Sequence, residues 1–191
     1  MTRREWLALA AVWASSRATL SAQHRGARVR HPPQVPEALA GPADVTLRIG
    51  ELGHEIAPRR VVRTLAYNGA VPGPLLRVRR GRPLTVDVVN DTAREDIVHW
   101  HGLHIPPEVD GVYEQGTPGV PPKGRWRYRF TPEPAGTRWY HSHEPAGDDL
   151  EKGTYTGQFG VLLVEDGGDP GGYDHDVPLV LHEWEPSFRR Q

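Results

Sequence analysis

Leu84-Thr85-Val86-Asp87-Val88-Val89-Asn90 alternates apolar and polar residues over its first five positions. Side chains of a β-strand point alternately to its two faces, so this pattern describes a half-buried strand. Arg80-Gly81 precedes it and Asn90-Asp91 ends it, both turn-forming pairs. Similar runs lie on either side: Val45–Ile49, Arg60–Ala66, Ile97–His101, Arg125–Thr131, Thr137–His141, Phe159–Glu165 and Val177–Trp184. Between them fall Tyr67-Asn68-Gly69, Pro72-Gly73-Pro74 and Pro121-Pro122-Lys123-Gly124. No long helical period interrupts the series. Seven or eight short strands at this spacing predict an all-β chain, an antiparallel Greek-key β-sandwich or barrel. Glu144–Gly157 is the longest irregular stretch within it, with room for a single helical turn.

Two of these strands carry the chemistry. One ends His99-Trp100-His101-Gly102, the other Tyr140-His141-Ser142-His143. Residues i and i+2 of a strand share a face, so each pair aims two imidazoles at one point. Trp100 and Ser142 then point away. Neutral imidazole is the commonest side-chain metal ligand and suits copper, zinc, iron and nickel. One such pair is weak evidence of a metal; two in strand-like sequence are much stronger.

Composition narrows the chemistry. Formal net charge is −1, which gives no electrostatic footprint for nucleic acid. The 191 residues include no cysteine, so disulfides, thiol nucleophiles and thiolate metal sites are all excluded from this chain. A blue-copper site is excluded with them, because it needs a cysteine thiolate. The motif His-x-His-x-Asp-His of the metallo-β-lactamases is not met, since Leu103 stands where the aspartate belongs. A cupin would place a glutamate three or four residues after its paired histidines, and neither pair has one.

The N-terminus reads as an export signal. Arg3-Arg4 precede the apolar run Trp6–Ala14, and small residues lead to a cleavage site at Leu20-Ser21-Ala22. The run is too short to span a bilayer, and the paired arginines suggest the twin-arginine route. Residues 1–22 are thus expected to be a signal peptide, which gives a periplasmic or secreted mature chain without a membrane span. Residues 23–43 are an expected proline-rich leader, 44–168 the β-domain, and 169–191 a linker with the first strand of a further domain.

His99–Gly102, Glu108-Val109-Asp110-Gly111, Gly136–His143 and Gly157–Glu165 together closely resemble the first, cupredoxin-like (plastocyanin-like) domain of multicopper oxidases. The stretch from Tyr67-Asn68-Gly69 through Arg80-Gly81 shares the resemblance, which covers roughly residues 44–190. It implies a cupredoxin-like fold and copper as cofactor. By position, His99 matches a ligand of the type 2 copper, and His101, His141 and His143 match ligands of the type 3 pair. Asp110 matches an acidic residue that relays protons while O2 is reduced to water; as a residue before Gly111 it also reads as a turn former. The type 1 copper of that family needs a His-Cys-His motif, which this chain lacks. The resemblance therefore implies half of a trinuclear site, completed by a separate C-terminal cupredoxin domain or an oligomer partner. An exported copper-binding module without turnover, or an inactive truncated remnant, is the alternative. The remaining histidines, His104 at the rim and His54, His175 and His182 elsewhere, read as surface or structural, and the aromatic residues as core or sheet-face packing.

Overall fold

The computed structural model describes residues 40–147, 149, 151–168 and 171–184. The expected export signal and the leader up to residue 39 lie outside the described residues. Among these residues eight strands form two four-stranded sheets. In chain order they are β1 (Val45–Ala57), β2 (Arg60–Tyr67), β3 (Leu76–Arg79), β4 (Leu84–Asn90), β5 (Val98–His101), β6 (Arg125–Phe130), β7 (Gly136–Ser142) and β8 (Phe159–Glu165). One sheet runs β2-β1-β4-β6 and the other β3-β8-β7-β5, which is the expected β-sandwich. A four-residue helix, α1 (Pro107–Asp110), and two single 3-10 turns, Tyr113–Gln115 and Gly153–Tyr155, are the other elements among the described residues.

The sandwich is not wholly antiparallel. β1 runs parallel to β4, and β3 parallel to β8. The chain crosses between the sheets after β2 and again after β3, so β4 re-enters its sheet in the direction of β1. Three other features depart from the sequence reading. β1 continues past Ile49 to Ala57, where it pairs only with β2. β3, hidden in an arginine-rich stretch, is an additional strand. Among the described residues Val177–Trp184 pairs with no strand; it lies against the outer face of the second sheet, its His182 ring stacked on Phe159 at 4.7 Å and 9°. Strand character needs a ladder partner, and this segment meets side chains instead.

The inner faces meet in one core. Leu47, Ile49, Val86, Val88, Tyr128 and Phe130 face Val98, Trp100, Tyr140, Leu162 and Val164, all buried. Trp100 is its centre, 4.9 Å from Phe130 and 5.5 Å from Tyr128 between ring centroids. β4 buries Leu84, Val86 and Val88 as its pattern requires, but its other face is not fully wet. Asp87 there is buried under Arg127, its partner across the β4–β6 ladder, at 2.6 and 2.7 Å. Arg127 also donates to the carbonyls of Ala40 and Gly41, so the chain entering the domain covers the pair. The Arg127 guanidinium holds the Asp87 carboxyl below the usual carboxylate range.

Candidate metal centre

β5 and β7 are neighbours in antiparallel register, with His99 opposite His141 and His101 opposite Trp139. These four side chains project from the outer face of the sheet, while Val98, Trp100, Tyr140 and Ser142 are buried between or beneath the sheets. The alternation expected of the first His-x-His pair is therefore present, and His141 shares its face with Trp139. One nitrogen from each of His99, His101 and His141 falls within 4.8 Å of the others. The ring centroids of His99 lie 5.3 Å from those of His101, His141 and His143 alike. His143, one residue beyond the end of β7, is 6.0 Å from His141 and stands outside the tightest triad. Its N–H donates to the Ile97 carbonyl at 3.1 Å, which ties the second pair to the entry of β5.

Backbone carbonyls engage one nitrogen each of His99 and His141. Nδ1 of His99 donates to the Asp110 carbonyl at 2.7 Å, and Nδ1 of His141 to the Ser142 carbonyl at 2.8 Å. The Nε2 lone pairs of both rings then remain available for a metal. Nδ1 of His101 faces Nε2 of His141 at 3.3 Å. Two nitrogens on one ion with bonds of about 2.0–2.1 Å lie at most roughly 4.2 Å apart, so this pair fits a shared ion. Burial lowers the His99 pKa, against the Asp110 carbonyl and carboxylate. Burial pushes His141 down further, to about 4, with the Ser142 carbonyl opposing and the neighbouring imidazoles assisting. These two rings are neutral at neutral pH, the form that ligates metals.

Asp110 ends α1 beside His99. Its carboxylate Oδ2 lies 3.5 Å from His99 Nδ1. The approach depends on Gly111, at φ 90°, because a Cβ there would collide with the backbone of Val98 and His99. Asp110 is thus both a turn residue and a neighbour of the histidine cluster. His104 is exposed. In the irregular stretch after β7, Thr154 lines the groove that reaches His141, and Glu144 accepts from the Tyr113 hydroxyl at 2.9 Å.

Two residues that the motifs did not single out belong to the site. Trp139 stacks on His141 at 4.0 Å and 25°, and lies 4.9 Å from His101, while remaining 39% exposed. The signal was present, since Trp139 and His141 share a face by the rule that pairs His141 with His143. Beyond Trp139 a groove of about 440 Å3 reaches His141, walled by Phe159, Val161, Leu179 and His182. Asp96, the second residue, is a buried carboxylate in front of β5, and no residue pattern announced it.

Comparison with known proteins follows the same outline. The sequence pattern described as multicopper oxidase matches residues 53–169, more than half of the chain. The chain belongs to the multicopper oxidase family. Among curated relatives, copper resistance protein A of Pseudomonas syringae pathovar tomato is 37% identical over 140 residues, which cover 72% of this chain and 22% of that protein. Multicopper oxidase MmcO of Mycobacterium tuberculosis is 35% identical over 124 residues, 65% of this chain and 23% of the relative. Among solved structures, a multicopper oxidase from Pseudomonas thermotolerans superposes with a TM-score of 0.59 at 34% identity, covering 70% of this chain and 32% of that one. The blue copper oxidase from Nitrosomonas europaea gives 0.57 at 34% identity over 64% of this chain and 38% of its own. The chain thus spans roughly a quarter of the length of these curated relatives, and the family's fold is the sandwich described above.

Proposed function

We propose that this chain supplies four histidines to a trinuclear copper site at which a multicopper oxidase reduces O2 to water. His99 would serve the type 2 copper, and His101, His141 and His143 the type 3 pair. The observation that carries the reading is the gathering of His99, His101 and His141 on one sheet face, with the His143 ring 5.3 Å from that of His99 and the Nε2 atoms of His99 and His141 turned away from their carbonyl partners. Copper bound there supplies the one-electron redox chemistry that O2 reduction requires. The residues of the chain orient and deliver. The Asp110 carbonyl fixes the His99 ring, and its carboxylate, 3.5 Å from Nδ1, stands where protons for the oxygen atoms can be held. Trp139 shields one side of His141 from water.

Electron entry needs a further site, because a type 1 copper requires a thiolate and this sequence has none. A separate cupredoxin domain or an oligomer partner would bring it, together with the remaining ligands. Export to the periplasm or beyond completes the proposal, on the strength of Arg3-Arg4 and the apolar run behind them. A cytoplasmic mature protein that retains Met1 would contradict that part. Among the described residues no helix is long and apolar enough to cross a membrane.

Titration of the purified chain with copper against a competing chelator tests the site. Alanine at His99, His101, His141 and His143 together should abolish tight binding, and the loaded wild-type chain should show no strong blue band. Tight binding that survives all four substitutions would refute the assignment. Turnover of phenols by the 191-residue chain alone would refute the need for a separate electron-entry site.

A further inference from the structure

The two histidine pairs are secured differently. His99 is held by Asp110, whereas His141 is held by the carbonyl of its own neighbour, Ser142. Ser142 in turn hangs on Asp96. Its hydroxyl donates to Asp96 Oδ1 at 2.8 Å, and the Ile97 N–H donates to the same oxygen at 2.7 Å. The other carboxylate oxygen, Oδ2, accepts from Gln158 Nε2 at 2.7 Å. The Thr156 hydroxyl, which has one proton to donate, lies 2.7 Å from the Gly153 carbonyl and 3.1 Å from Gln158 Oε1. The Gln158 carbonyl receives the Ser142 N–H at 3.0 Å. Asp96 is only 4% exposed, and Ser142, Ile97 and Gln158 each offer it a donor, an arrangement suited to a carboxylate anion.

This cluster ties together the entry of β5, the end of β7 and the entry of β8. Those are the junctions from which both histidine pairs project. A desolvated anion beneath the sheet is costly unless its hydrogen bonds are complete, so its geometry is sharply defined. It touches none of the imidazoles.

We propose that Asp96 is a positioning residue for the histidine centre. It fixes Ser142, the Ser142 carbonyl fixes Nδ1–H of His141, and His141 is thereby kept in the tautomer whose Nε2 lone pair faces His101. Gln158 and Ile97 complete the clamp. The role deepens the copper-site reading and rests on it for its purpose, but the tautomer can be observed without metal.

The experiment uses the full chain with 15N-labelled histidine, metal-free at neutral pH. Long-range 1H–15N spectra of the wild type should show His141 as a single Nδ1–H tautomer. Ser142→Ala and Asp96→Ala should give an averaged pair of ring-nitrogen shifts and weaken copper binding roughly ten- to hundredfold. Ser142→Thr, which keeps the hydroxyl, should restore both. Asp87→Ala, which breaks a buried ion pair in the other sheet, should lower stability without moving the His141 signals. If Asp96→Ala does not fold, Ser142→Ala and its threonine rescue decide alone. A folded Ser142→Ala chain with wild-type His141 signals would overturn the proposal, and so would an equal shift from Asp87→Ala. A wild-type chain that takes up no copper would defeat the copper-site reading instead, and the tautomer would still decide this one.

Discussion

The two faces of the β5–β7 strand pair share one backbone and do opposite work. Toward the core, Val98, Trp100 and Tyr140 pack against the facing sheet with no exposed surface. Away from it, His99, His101, His141 and Trp139 stand on the next residues of the same strands and gather around a point at the surface. Strand alternation alone separates them. A one-residue slip would send imidazoles into the apolar core and Trp100 into the site, so the packing of the inner face sets the register of the outer one. Stability is concentrated on one side, and chemistry on the other.

Substitutions on the two faces should therefore fail in different ways. Trp100→Ala should have the largest effect on stability, about 3–5 kcal/mol in urea or thermal unfolding, as expected for an aromatic removed from a closed core. A loss below about 1 kcal/mol would mean the core is not organised around this ring.

The outer face should reveal itself through pH. His141 has its pKa lowered by burial to about 4, so the unfolded chain binds this proton more readily than the folded one. Stability of the metal-free chain should then fall as pH drops from about 6.5 to about 4, by up to roughly 3 kcal/mol from this residue. Asp96 has the opposite sign: burial raises it to about 6, the folded state binds its proton first, and stability rises as pH drops from about 6 to about 4. The two contributions offset one another in the wild type. His141→Ala removes one of them, so its stability relative to wild type should climb as the solution is acidified. Parallel pH profiles for the two proteins would show that His141 is not desolvated as described.

Trp139→Ala should be the mildest. The ring is partly exposed, and its stacking on His141 contributes on the order of 1 kcal/mol. Its removal should wet His141 and raise the pKa of that imidazole toward its ordinary value, a shift readable by NMR titration. A loss of several kcal/mol would place Trp139 with the core rather than with the site.

The fold class and the four histidines were legible in the sequence because period-two alternation is a local property. Leu84, Val86 and Val88 declare their strand without reference to any partner, and so do His99 and His101. What stayed hidden depends on distant neighbours. The parallel pairing of β1 with β4 arises from where the chain crosses between sheets. The buried carboxylates Asp87 and Asp96 find their partners only when Arg127, Ser142 and Gln158 arrive from 40 or more residues away. Val177–Trp184 has the composition of a strand, yet among the described residues no strand pairs with it. Trp139 was an intermediate case, visible by alternation and set aside because aromatic residues usually pack.

The central claim is that the outer-face histidines themselves hold copper. Pulsed EPR of the chain loaded with one equivalent of Cu(II), with 14N- and 15N-histidine samples compared, tests it most directly. The account predicts modulation from the remote nitrogens of at least two coordinated imidazoles, changed by the isotope and reduced in His141→Ala. The same spectrum from a chain with alanine at His99, His101, His141 and His143 would contradict it.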